Sequence, residues 1–430
     1  MSTLLPAFAR PAPISASSHS GVSPPCRRRV LTLSALTVAG AGATTLSVNA
    51  PSARATTALA ASTDLVLRSR PRAAAPVLRP LPRGTVVLAT GATDANWVQV
   101  IHEGVTGWAY GPSLVEPGTV TTVRLMTTTN LVLRARARAS AAILRTMPRG
   151  VVVEATGAVD ANWVQVVHAG VTGWAYGPRL TEVAGLPQSR TDHRFSAHGM
   201  SGRYHVFADG LDYSQPVGIT WFFDGDYFTL DQSMVENPWS ARMQGIVRES
   251  VRRNQMVVTV VTPAAYERGY GYTWWRQREA NGAWFRALAA HVHRSLPFTV
   301  LDRQWALGYS GGAEFISMIL MARQQLSWWR GAGASIVGGG TRPERFDVSS
   351  PGFRRLRATW HVNANDVAGQ TNPPTWSARD AARSSEQAYR EQYHFLNTRI
   401  VEYPMGGHTQ YDFAGILARD LNAAGFTPLR

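Results

Sequence analysis

The stretch Gln304-Trp305-Ala306-Leu307-Gly308-Tyr309-Ser310-Gly311-Gly312-Ala313-Glu314-Phe315 decides how the C-terminal half of the chain is read. An apolar run, Trp305 to Leu307, leads into a serine flanked by glycines. Phe315, Ile316, Ile319 and Leu320 then recur at helical spacing. The pattern predicts a strand, a sharp turn and a helix, with Ser310 at the apex. A nucleophile held in a strained turn needs neighbours without a Cβ, so that its Oγ stands clear. The helix that starts there also points its N-terminal dipole at developing negative charge. The competing reading is a plain glycine-rich turn, and the strand and helix patterns on either side weigh against it.

Working outward from this turn, strands alternate with helices from Phe195 on, which predicts a mostly parallel sheet. Strands are expected at Arg203–Ala208, Val217–Phe223, Met256–Thr262, Gln304–Tyr309, Ala334–Val337, Arg357–Val362 and Arg399–Tyr403. Helices are expected at Trp239–Arg253, Ala283–Ser295, Gly312–Gln325, Ser377–Tyr393 and Asp412–Ala424.

A serine hydroxyl is a poor nucleophile until a base takes its proton, and that base needs a fixed anion behind it. Of the 11 histidines, only His394 and His408 lie well past Ser310 and after a plausible acid. His394 ends a helix. His408 follows the strand Arg399–Tyr403 in Gly406-Gly407-His408-Thr409, a loop at the carboxyl edge of the sheet, where ligands gather. Asp366 follows the strand Arg357–Val362 in a similar loop, the alternative being an aspartate that caps a turn. Asp347, Asp380 and Glu402 are worse placed. His291 and His293 are two apart on a helix and face different sides, so no metal site is expected there.

The order serine, aspartate, histidine resembles the α/β-hydrolases. The segment Trp221-Phe222-Phe223-Asp224-Gly225-Asp226-Tyr227 narrows the resemblance to the esterases that include esterase D, the mycolyltransferases and poly(3-hydroxybutyrate) depolymerase-like enzymes. It covers residues 195–430, within a domain expected at 192–430, and implies an α/β-hydrolase fold carrying a serine ester hydrolase. Catalysis would run through a covalent acyl-enzyme, with Ser310 as nucleophile, Asp366 and His408 completing the triad, and no cofactor. It also implies an oxyanion hole made by the backbone N–H groups of Gly311 and Asp226. A carboxylate beside an oxyanion opposes it, so the Asp226 side chain should point away or be paired. Two alternatives stand beside this reading: an acyltransferase of the same fold, and a non-catalytic wall-binding protein with a hydrolase-like scaffold.

The loop Tyr266–Trp275 carries five aromatics in ten residues. Tyr270, Tyr272 and Trp274, with Tyr309, are the expected substrate contacts, suited to stacking on a sugar or an aromatic acyl group. The alternative is that they cover the edge of a core.

Upstream, residues 65–114 and 131–180 are 37/50 identical at an offset of 66, which is a duplication. Each copy has Leu-Val-Leu-Arg, then Pro-Arg-Gly, Asn-Trp-Val-Gln-Val and Gly-Val-Thr-Gly-Trp-Ala-Tyr-Gly-Pro. Short alternating segments broken by Gly and Pro predict two small β-barrels, at 60–118 and 126–184. The pattern resembles the bacterial SH3 domain: Arg68 and Arg134 match its early arginine, and Trp97, Trp108, Trp163 and Trp174 its tryptophans. The resemblance implies peptidoglycan or another cell-wall polymer as partner, unless the tryptophans only fill the barrels. Thr119–Thr129 and Ala184–Asp192 read as flexible joints.

Residues 1–55 read as an export leader: Arg27-Arg28-Arg29-Val30-Leu31, a moderately apolar stretch to Val48, and Ala53-Arg54-Ala55. The arginines resemble the twin-arginine signal, which implies a secreted protein with no stable membrane span after cleavage. The single cysteine, Cys26, lies in this leader, so the mature chain has no disulfide and no Cys-based metal site. The formal charge of the 430-residue chain is +15, all its basic residues being arginine. Acidic wall polymers suit such a surface, the plainer reading being a generally solvated arginine-rich one, and no basic run with interleaved aromatics suggests nucleic acid.

Overall fold

The computed structural model describes residues 57–117, 123–323, 331–347, 350–371 and 373–429. The leader expected at 1–55, with Arg27–Arg29 and Cys26, lies outside them.

The first repeat comprises β1 (Thr57–Ala61), β2 (Leu65–Arg68), β3 (Val77–Leu81), β4 (Val86–Asp94), β5 (Trp97–His102), β6 (Val105–Tyr110) and β7 (Leu114–Val115). They pair antiparallel in the order β3-β2-β6-β5-β4-β1-β7. The second comprises β8 (Arg124–Thr127), β9 (Leu131–Arg134), β10 (Ile143–Met147), β11 (Val152–Asp160), β12 (Trp163–His168), β13 (Val171–Tyr176) and β14 (Leu180–Glu182), in the equivalent order. Alternation turns Leu67, Leu81, Val87 and Val100 into one small core, and Leu133, Met147, Val153 and Val166 into its copy. The early arginine of each copy fastens its own neighbourhood, Arg68 and Arg134 donating to the carbonyls of Ala75 and Ala141, each at 2.7 Å.

The third sheet holds β15 (Arg190–Ala197), β16 (Met200–Phe207), β17 (Val217–Phe223), β18 (Gln255–Val260), β19 (Thr299–Tyr309), β20 (Gly333–Val337), β21 (Arg357–Asn363) and β22 (Asn397–Tyr403). Their order is β15-β16-β18-β17-β19-β20-β21-β22. The pairings from β18 through β22 are parallel, and the two that attach β16 and β15 are antiparallel. Of its strands, β15 has no counterpart among those the sequence predicts. Its exposed and half-buried residues alternate on an edge, a pattern too polar to stand out.

Both faces of this sheet are covered, so its central strands are buried throughout. Ile219, Trp221, Phe223, Met256 and Val258 point to one side, against α2 (Arg278–Ser295) and α4 (Ala378–Glu391). Phe222, Val257, Trp305 and Leu307 point to the other, against α1 (Ala241–Val251) and α5 (Phe413–Ala423). Each such side chain contributes about 1.5–3 kcal/mol of burial. The buried indoles also keep their N–H groups bonded: Trp221 donates to Gln304 at 2.8 Å and Trp305 to Ser335 at 3.0 Å.

The second repeat is seated on this α/β unit. Met126 and Val152 belong to the same buried cluster as Tyr213 and Phe298. The N–H of Val152 donates to the carbonyl of Tyr213 at 2.7 Å, and His168 Nε2 lies 2.9 Å from that of Ser214. Gly150, at φ +86°, brings its backbone so close that a Cβ there would stand 2.7 Å from the Phe298 carbonyl. The stretches read as joints are therefore ordered where described. The first contains β8, and in the second Leu186 packs on the core and Arg190 opens β15.

Candidate active site

The turn after β19 has the shape its glycines predict. Ser310 sits at φ 48°, ψ −114°, a sparsely populated region for a residue with a Cβ. A Cβ on Gly308 would stand 2.6 Å from the Gly312 carbonyl, and one on Gly312 2.2 Å from that of Phe223. Only glycine lets the two strands and the following helix, α3 (Gly311–Phe315), meet so closely. The helix continues through a π-helical turn, Ile316–Leu320, where the sequence predicts one helix over Gly312–Gln325.

Loops at the carboxyl ends of β19, β21 and β22 bring Ser310, Asp366 and His408 together. Ser310 Oγ is 2.9 Å from His408 Nε2, and His408 Nδ1 is 2.9 and 3.0 Å from the two oxygens of Asp366. Asp366 is fully buried and accepts a further hydrogen bond, 2.5 Å, from the hydroxyl of Tyr411. Burial beside that carboxylate pushes the Tyr411 hydroxyl well above its ordinary range. The same hydroxyl accepts from the Asn363 N–H at 3.1 Å, so Tyr411 ties the acid to the end of its own strand. Asp347 pairs with Arg323, and Glu402 with Arg383, away from this cluster.

The loop after β17 is shaped by Asp224. Its buried carboxylate accepts from the N–H groups of Gly225 and Met234 and from the Ser233 hydroxyl, at 2.8, 2.6 and 2.8 Å. This presents Asp226 beside Ser310. The Asp226 side chain does not point away: its Oδ1 would be 1.9 Å from a Cβ on Gly311. Trp275 Nε1 donates to Oδ2 at 2.7 Å, while Oδ1 is buried without a hydrogen-bond partner. Burial pushes the carboxyl up to about 7, with the charges of Glu314 and Asp224 adding to the effect.

Ser310 opens onto two cavities. One, about 250 Å³, is lined by Gly311, Glu314, Met318, Thr341 and Trp376. The other, about 340 Å³, is lined by Phe228, Gly269, Tyr270 and His408. Asp226, Trp275 and Pro373 border both.

Of the four aromatics expected to contact substrate, Tyr270 lines the second cavity. Trp274 is a core residue instead, 2% exposed and packed against Phe223 and Phe315. Tyr272 stacks on Tyr227, outside the lining of both cavities. Tyr309 stands behind the site, its hydroxyl donating to the His408 carbonyl at 2.8 Å. The residue that takes the place expected of Trp274 is its neighbour Trp275. In an irregular loop the sequence offers no period from which to tell which of two adjacent indoles faces in. Among the described residues no cluster of His, Cys, Asp and Glu could hold a metal ion. No helix among them is long and apolar enough to cross a membrane.

Comparison with known proteins adds the following. The bacterial SH3 domain family matches residues 63–115 and 129–181. No curated protein matches the chain. Among solved structures it is similar to an arylesterase, at 11% identity over 56% of this chain and 85% of that one, with a TM-score of 0.39. It is also similar to the poly(3-hydroxybutyrate) depolymerase LpqC from Bordetella parapertussis, at 13% identity over 56% and 93%, TM-score 0.38. A carboxylesterase from Mesorhizobium loti matches at 16% identity over 55% and 99%, TM-score 0.35. The chain carries two bacterial SH3 domains, and these solved structures to which it is similar are esterases and a depolymerase.

Proposed function

We propose that this protein is an exported serine ester hydrolase, held at the cell wall by its SH3 repeats. The observation that carries the proposal is the continuous hydrogen-bond chain from Ser310 Oγ through His408 to Asp366. His408 Nε2 takes the Ser310 proton as Oγ attacks the ester carbonyl, and Asp366 fixes the ring and stabilises the imidazolium. The N–H groups of Gly311 and Asp226 receive the oxyanion at the start of α3. Collapse breaks the ester C–O bond, the alcohol leaves with the proton from His408, and water then releases the acid from Ser310 by the same steps.

Support for the wall half of the proposal comes from the repeats. A cavity of about 700 Å³ is lined by Arg68, Pro80, Trp97 and Tyr110 of the first copy and Thr156 and Gln165 of the second. Its aromatic and polar lining suits a short peptide or glycan segment. Hydrolysis of p-nitrophenyl esters tests the catalytic half. Ser310→Ala should abolish labelling by a fluorophosphonate, and Asp366→Asn should lower kcat by ~10³–10⁴ through the wrong histidine tautomer. Labelling that survives Ser310→Ala would assign the nucleophile elsewhere.

A further inference from the structure

The two cavities beside Ser310 differ in what they can receive. His408 borders only the one with Phe228 and Tyr270, so an alcohol that takes its proton from Nε2 departs on that side. The cavity beyond Gly311 is left for the acyl group, whose carbonyl oxygen must reach the Gly311 N–H.

The acyl-side space has an unusual lining. Three carboxyls line it, Asp226, Glu314 and Glu344, together with two indoles, Trp275 and Trp376. Glu314 is buried and accepts the N–H groups of Gly340 and Thr341, at 3.0 and 2.6 Å. Asp226 leaves one oxygen without a partner. Arg278 is the cationic residue of the lining, and its guanidinium is held by Glu344. Burial pushes the Asp226 and Glu314 carboxyls above their ordinary range, and the Glu314 charge raises Asp226 further. With Arg278 already paired to Glu344, Asp226 and Glu314 are left short of a positive charge.

We propose that the cavity beyond Gly311 binds an acyl group bearing an ammonium, so that aminoacyl esters are the preferred substrates. This rests on Ser310 being the nucleophile. An ammonium two or three bonds from the carbonyl carbon lies between Asp226 and Glu314 while the carbonyl stays at Ser310. The chemistry is unchanged: Oγ displaces the alcohol, which takes the proton from His408, and water frees the amino acid.

The test is a charge series of phenyl esters at about pH 7.5, where an aliphatic ammonium is fully charged. The acyl groups are β-alanyl, its hydrocarbon isostere butanoyl, and succinyl, each kcat/KM being divided by the ester's hydroxide-catalysed rate. The full chain should favour β-alanyl over butanoyl by about tenfold or more, with succinyl slowest. Glu314→Gln and Asp226→Asn should each bring the β-alanyl to butanoyl ratio down toward unity. Because each ratio is read within one preparation, loss of folded enzyme cancels. Equal rates for β-alanyl and butanoyl, a preference for succinyl, or a ratio untouched in both variants would overturn the proposal. Butanoyl hydrolysis without ammonium preference sinks this inference alone. Failure to cleave any ester, with no labelling of Ser310, takes the serine-hydrolase reading with it.

Discussion

At the scale of the residue, the site is a set of buried carboxyls given different partners. Asp366 receives His408 and the Tyr411 hydroxyl. Asp224 receives two N–H groups within 3 Å and a serine hydroxyl, and it shapes a loop. Asp226 receives only Trp275, and its carboxyl titrates near 7. That difference has a measurable sign. In the unfolded chain the Asp226 carboxyl loses its proton near the ordinary value of 3.8, whereas the folded chain keeps it to about 7. Between those values the unfolded state binds fewer protons, so this group makes stability fall as pH rises. Asp226→Asn has no proton to lose. Its Tm relative to the wild type should therefore climb from pH ~4 to ~7 and level off above that. A difference that stays constant across the range would mean that the carboxyl is not held neutral.

At the scale of the element, the strands of the α/β sheet were legible because burial on both faces makes them near-continuous apolar runs. Val217–Phe223 is the clearest example, and the structure ends that strand where the sequence does. The glycines around Ser310 were legible because sterics allow few other residues there. The roles of Tyr411, Trp275 and Glu314 were not. Each acts through a contact made across the fold, for which sequence spacing carries no signal. The repeats show the same division. Trp97 and Tyr110 meet edge to face at 5.9 Å, and both border the cavity between the two copies. If that cavity grips wall polymer, Trp97→Ala in the full chain should stop the protein sedimenting with purified cell walls at low salt, while hydrolysis of small esters continues. Undiminished sedimentation would leave the repeats as spacers.

At the scale of the whole molecule, the seat of the second repeat on the α/β unit was hidden from the sequence, since its two halves are almost the same. Val86 and Val152 occupy equivalent positions, yet the first is 53% exposed and the second 8%. A charge should therefore have unequal effects in the two copies. Val152→Asp should cost about 2–3 kcal/mol and lower the Tm of the α/β unit, whereas Val86→Asp should stay within about 0.5 kcal/mol. Equal effects in a thermal melt would show that the seat contributes nothing to stability.

This asymmetry also bears on how the gene can change. Copies this similar invite unequal recombination, which deletes one of them and leaves a hybrid whose front comes from the first copy. Such a hybrid carries Ala60 where Met126 now fills the seat against Tyr213 and Phe298. The shortened protein keeps every residue around Ser310 but loses one of the side chains that seat its remaining repeat. A crossover past that position therefore gives a repeat that docks with one apolar contact fewer than the present one.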